Sequence, residues 1–196
     1  MRAMDILQID QNILIWLNGL LVSKFALLDK VVIFCGVYLI YALPFILLLL
    51  WFLVKNKQRA LAFSFAGMLI SWFIITKTIV PHIWFRARPD LMILGVKELI
   101  FERPSYSFPS DHASALFALT FGLYFFGYKK AANWFLLLSI IIVVCRVVIG
   151  VHFPLDIIGG IVSGLIGATI IKIFEKPLDK AIWRPMIKFL KKIKLA

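Results

Sequence analysis

A chain of 196 residues, 62% of them hydrophobic and with a mean hydropathy of +0.96, is too apolar for a soluble domain. Its length suits one compact membrane bundle and excludes a separate large soluble domain. The formal net charge of +12 raises nucleic acid as a partner, but the basic residues fall between apolar runs and in the tail. There they fit a topology signal and anionic lipid head groups, and no nucleic acid is expected.

Residues 1–29 mix Asp5, Asp10, Asn12 and Asn18 with Ile, Leu and Trp at helical spacing. They predict an amphipathic helix lying at the membrane interface, which a looser count would make a sixth span. Residues 1–20 lack the basic start, clean apolar core and small-residue cleavage site of a secretory signal peptide. Five membrane spans are expected, at about Val31–Val54, Ala60–Trp84, His112–Tyr128, Ala132–Val151 and Leu155–Phe174. A basic turn, Lys55–Arg59, separates the first two, and Lys129–Lys130 separates the third and fourth. Residues 85–111 read as a polar, proline-bearing loop. The two cysteines, Cys35 and Cys145, sit in apolar runs and read as buried free thiols. The fold class is thus an all-α integral membrane bundle. Residues 1–174 form one membrane-embedded domain, and residues 175–196 form a basic amphipathic tail suited to anionic lipid.

Alternation of five spans puts the 55–59 turn, the 129–130 turn and the tail on one face. That face holds twelve of the 22 basic residues, which predicts that it is cytoplasmic. The opposite, extracytoplasmic face then receives the N-terminal helix, the 85–111 loop and the 146–156 turn.

Three polar motifs converge on that outer face. Phe85-Arg86-Ala87-Arg88-Pro89 leaves the second span, and Ser107-Phe108-Pro109-Ser110-Asp111-His112 enters the third. Cys145-Arg146-Val147-Val148-Ile149-Gly150-Val151-His152-Phe153-Pro154-Leu155-Asp156 links the last two. Ionisable residues at the membrane edge are expensive, which makes them candidates for function. Arg88 and Arg146 present planar forks that fit phosphate oxygens. Ser110 offers a hydroxyl, and the backbone N–H groups beginning the third span offer an anion site. His152 can attack phosphorus through a free ring nitrogen, with Asp156 fixing its tautomer and stabilising the imidazolium. His112 can protonate the leaving oxygen and then activate water. Taken singly, each has a structural explanation: an interfacial arginine, a satisfied helix-start histidine, a hydrogen-bonded His–Asp pair. A metal site built from Asp111, His112, His152 and Asp156 is the rival chemistry. Two arginines and a lysine nearby would repel a cation, and no close ligand pair of the His-x3-His kind is present, so neither metal nor other cofactor is expected.

The three motifs resemble the signature of the type-2 phosphatidic acid phosphatase superfamily: Lys-x6-Arg-Pro, Pro-Ser-Gly-His and Ser-Arg-x5-His-x3-Asp. The likeness spans about residues 81–156. It implies metal-independent hydrolysis of a lipid phosphate through a phosphohistidine. By it His152 is the nucleophile, Asp156 its partner and His112 the acid and base, with Arg88, Ser110 and Arg146 on the phosphate. Pro81 stands where the pattern has lysine, leaving Lys77 or Arg86 to supply that charge to the phosphate. Asp111 replaces the glycine and is a further candidate at the phosphate, and Cys145 replaces the serine. The Ser-Phe-Pro-Ser-Asp-His form is similar to bacterial undecaprenyl-pyrophosphate phosphatases of the bacitracin-resistance type. The expected activity is removal of one phosphate from undecaprenyl pyrophosphate, recycling the cell-wall lipid carrier. The alternatives are another lipid phosphate (phosphatidylglycerophosphate, phosphatidate or a lipid A phosphate) or, in a different class, a phosphate-lipid binding or transport protein without turnover.

Overall fold

The computed structural model of the chain describes residues 3–100 and 105–193. The parts of the loop, tail and N-terminal expectations that fall on residues 1–2, 101–104 and 194–196 lie outside it. Long helices dominate: α1 (Ala3–Leu21), α2 (Ala26–Leu53), α3 (Lys55–Ile83), α4 (Asp111–Phe125), α5 (Lys129–Val148), α6 (Pro154–Ile173) and α7 (Arg184–Lys192). Among the described residues the only β pairing is an isolated antiparallel bridge between Ala87 and Tyr106. The all-α membrane bundle expected from the apolar periodicity is what forms.

Four of these helices, α2, α3, α5 and α6, are long and apolar enough to cross a membrane. The segment expected as the third span is α4, with only 15 residues. That is about 22 Å of helix against about 30 Å of hydrocarbon. Its setting explains the difference. α4 is the centre of the bundle, packed against α3, α5 and α6, and Leu116, Leu119 and Leu123 are wholly buried. A helix surrounded by protein need not match the thickness of the lipid. The outer helices do face lipid: Phe45, Leu53 and Trp134 are each about two-thirds or more exposed.

Small residues let the helices come close. α4 and α6 run parallel, and a Cβ built at Gly164 would lie 2.7 Å from the Ala118 backbone nitrogen and 3.0 Å from the Ser114 carbonyl oxygen. Gly164→Ala is therefore expected to destabilise the bundle by about 1–3 kcal/mol, read as a lower midpoint of thermal unfolding in detergent. Gly19→Ala, where nothing stands within 4 Å of the new Cβ, is the neutral control. Beneath the site the small hydroxyls bond across helices: Ser71 and Thr76 of α3 both meet Ser114 of α4, at 2.5 and 2.7 Å.

The spans alternate in direction. Lys57 donates to the Gly127 carbonyl, and Lys172 sits over the Phe126 ring, so the 55–59 turn, the 126–130 turn and the end of α6 share one end of the bundle. Arg59 extends that end by pairing with Glu175 and Asp179. Trp183 stacks edge-on against Trp51 and Phe63, walling an apolar crevice of about 540 Å³ far from the polar motifs. α7 turns Met186, Ile187 and Leu190 inward and leaves Lys188, Lys191 and Lys192 exposed, as an amphipathic surface helix does.

α1 buries one narrow stripe, Asp10, Leu14 and Asn18, one residue per turn and continued by Val22 just past its end, while Trp16 and Leu20 stay exposed. Asp10 accepts from the Leu155 backbone N–H at the start of α6. Asn18 donates to the Val148 carbonyl at the end of α5. The helix thus reaches from one span end to another across the same end of the bundle. Both cysteines are free, and they are half-buried rather than buried as expected. Gly36, beside Cys35, packs closely on Cys145.

Candidate active site

The loops at this end are tied to one another by main-chain hydrogen bonds. Arg88 N–H donates to the Ser105 carbonyl and Ser107 N–H to the Arg86 carbonyl, so the first motif pairs antiparallel with the approach to the second. Ser110 N–H donates to the Asp156 carbonyl at 2.9 Å, joining the second motif to the third. Segments far apart in sequence therefore meet at the α4 and α6 N-termini.

Ser110 is the N-cap of α4, its hydroxyl accepting from Ala113 N–H. Its side chain is fully buried. His112 follows one residue into the helix, within the fields of Arg146, His152, Arg88 and Lys77. α4 thereby aims its N-terminal N–H groups and one histidine at the place where these cations gather.

Asp156 is the third residue of α6 and is wholly buried. One carboxylate oxygen accepts from Phe153 N–H at 2.8 Å, and the other accepts from Arg86 at 3.0 Å. His152 is buried in the turn just before α6. Its Nδ1 stands 3.6 Å from Asp156 Oδ2, longer than a formed hydrogen bond. With Asp156 fixed from two sides, the ring has only a short approach to make. Burial lowers the pKa of His152; Asp156 opposes this, and the charges of Arg146 and Arg88 add to it. The free imidazole is therefore neutral near pH 7, with Nδ1 toward the carboxylate and Nε2 as the other ring nitrogen.

Arg146, in the last turn of α5, is buried and donates to the Gly36 carbonyl. Arg88 donates to the Ser105 hydroxyl and the Val151 carbonyl, which holds the 85–90 segment on the His152 turn. A cleft of about 620 Å³ is lined by Arg88, Leu91, Glu98 and Gly150. Neither histidine lines it. Lys77, from a π-helical stretch at Ile70–Ile79, reaches Asp111 at 3.3 Å. The wider turn of a π-helix shifts a side chain relative to α-helical register, and here it brings the charge missing at Pro81 to the start of α4.

Arg86, one of the two residues expected to supply charge to the phosphate, is itself engaged by acidic partners. Its two Nη atoms are held by carboxylates, Asp156 on one side and Asp10 of α1 at 2.5 Å on the other. Its guanidinium lies 4.0 Å from the centre of the Phe153 ring. Asp10 did not stand out from the sequence as a site residue, because an aspartate in an amphipathic helix reads as part of its wet face. The available signal was its spacing, four residues before Leu14 and on the same stripe. Among the described residues, no three His, Cys, Asp or Glu side chains cluster as metal ligands.

The chain matches the PAP2 superfamily over residues 60–178. YbjG of Escherichia coli (strain K12) is 29% identical over 154 residues, 78% of this chain and 76% of YbjG. Undecaprenyl-diphosphatase BcrC of Bacillus subtilis (strain 168) is 28% identical over 142 residues, 72% of each chain. Among solved structures, Aquifex aeolicus LpxE shares the fold at 22% identity, with a TM-score of 0.65 over 82% of this chain and 92% of that one. Since the match runs from residue 60 within α3 through α6 and takes in every loop that carries the convergent motifs, this membrane chain belongs to the PAP2 superfamily and is a lipid phosphatase.

Proposed function

We propose that the enzyme hydrolyses undecaprenyl pyrophosphate to undecaprenyl phosphate and inorganic phosphate, through a phosphohistidine on His152. The observation that carries the mechanism is the buried His152–Asp156 pair lying among Arg88, Arg146 and the α4 N-terminus. His152 Nε2 attacks the terminal phosphorus, and the bond from that phosphorus to the bridging oxygen breaks. His112 gives its proton to the leaving lipid phosphate. Water then attacks the phosphohistidine, losing its proton to His112, and the P–N bond breaks to release phosphate. Asp156 stabilises the imidazolium in both steps. Arg88, Arg146, Ser110 and the helix N-terminus meet the charge on the phosphoryl oxygens. Lys77 and Asp111 sit at the rim of this group, where the second phosphate of a pyrophosphate would lie.

The choice of the polyprenyl substrate rests on the Ser-Phe-Pro-Ser-Asp-His form of the second motif and on the likeness to the undecaprenyl-diphosphatase BcrC of B. subtilis. Residues 1–174 form the phosphatase domain and 175–196 a basic cytoplasmic tail. The site faces the extracytoplasmic side, because the end opposite to it gathers the basic turns and the start of α7.

The test is phosphate release in detergent micelles with a chelator present, on undecaprenyl pyrophosphate, phosphatidylglycerophosphate, phosphatidate and a lipid A phosphate. Release fastest on the polyprenyl substrate and unaffected by chelator is expected. Preference for another lipid would move the pathway, and loss of release on chelation would contradict the mechanism. A pH profile adds a second expectation. His152 must be neutral to attack, and its pKa is lowered. Activity on kcat/KM should therefore fall on the acid side only below the ordinary imidazole value of about 6.5.

A further inference from the structure

Asp10 is a carboxylate only 2% exposed on a helix whose other faces, polar and apolar residues alike, are largely open. A buried carboxylate is retained only with close partners, and Asp10 has two. One oxygen accepts from Leu155 N–H at the start of α6. The other holds Arg86, whose second Nη holds Asp156. The chain of contacts Asp10–Arg86–Asp156–His152 therefore runs from the N-terminal helix to the attacking histidine. Two carboxylates and one guanidinium give the first three members a net charge of −1. Without Asp10, Arg86 would neutralise the carboxylate that His152 needs as positive charge builds on its ring.

We propose that Asp10 is a positioning residue for phosphoryl transfer, which through Arg86 fixes the Asp156 carboxylate and keeps its negative charge available to His152. This rests on His152 being the nucleophile. The charged groups around His152 are Asp156 at the start of α6, Arg146 from α5, His112 and Asp111 from α4, Lys77 of α3 beside Asp111, Arg88 and Arg86 from the loop, and Asp10 from α1. Of these, Asp10 and Arg86 can be changed without touching a group proposed to contact phosphate.

The test compares Asp10→Asn, Arg86→Gln, the double variant and His152→Ala in the full chain, using undecaprenyl pyrophosphate and phosphatidylglycerophosphate. Asp10→Asn should lower kcat about 10- to 100-fold with KM changed less than about threefold. It leaves Arg86 uncompensated, so the acid limb of kcat/KM should move to lower pH. Arg86→Gln removes the cation and should move the same limb to higher pH. The double variant restores the net charge and should bring the limb back toward wild type, a coupling that independent structural roles would not produce. An unmoved limb and near-wild-type kcat in Asp10→Asn, with His152→Ala inactive, would overturn the proposal and leave the nucleophile in place. An active His152→Ala would overturn the nucleophile and this proposal with it. If Asp10→Asn does not accumulate, Arg86→Gln decides, and a limb that fails to rise overturns the proposal.

Discussion

His152→Ala is expected to lower phosphate release by at least about 10³-fold while leaving binding of a phosphate lipid within a few-fold of wild type. Alanine removes the ring that forms the P–N bond, and no other described side chain pairs with Asp156 in the same way. The arginines and the α4 N-terminus remain, so the anion site is kept. Burial of His152 brings a second effect. The variant leaves a small cavity beside Asp156, costing stability by the usual large-to-small penalty of about 1–3 kcal/mol. Activity per folded molecule, normalised by thermal unfolding in detergent, separates the two. A variant that folds, binds and does not turn over is the expected result. Equal loss of binding and turnover would point to a structural role, and unchanged turnover to a different nucleophile. The same comparison tests the binding or transport reading, in which wild type binds the lipid and releases no phosphate.

Arg146→Leu is expected to reduce kcat about 10²- to 10³-fold, the usual effect of removing one preorganised donor to a charged transition state. Arg146→Lys keeps the charge and loses the fork, so its activity should fall between the two. The reason lies in placement. Arg146 ends α5, is 5% exposed, and is held by the Gly36 carbonyl of α2. A guanidinium anchored by its own partners meets developing charge without reorganising. Steady-state kinetics on the preferred lipid check this. Lysine as active as arginine would mean that charge alone matters there, and leucine as active as arginine would remove Arg146 from the phosphate.

Much of this is legible in the sequence. Apolar runs of about 20 residues announce the helical bundle. Motif residues such as Arg88, His112 and His152 announce a site, because charged groups at span ends need a reason to be there. Other features depend on what packs against what. The α4 segment reads as a span because its composition is that of one, and only its enclosure by α3, α5 and α6 shows why 15 residues suffice. Lys77 reaches Asp111 through the π-helical stretch, and a wide turn leaves no mark on hydrophobic periodicity. Arg86 and Arg88 differ by two positions in one loop, so composition gives no way to tell them apart. Their surroundings separate only when Asp10, arriving from α1, pairs with Arg86 while Arg88 turns to the Val151 carbonyl.

The most direct test of the central claim is a rapid acid-free quench of enzyme turning over undecaprenyl pyrophosphate labelled in its terminal phosphate. Protein-bound label that survives base, is lost in acid and maps by mass spectrometry to His152 is the expected result, with none in His152→Ala. Label on another residue, or full turnover with no trapped phosphoenzyme in wild type, would contradict it.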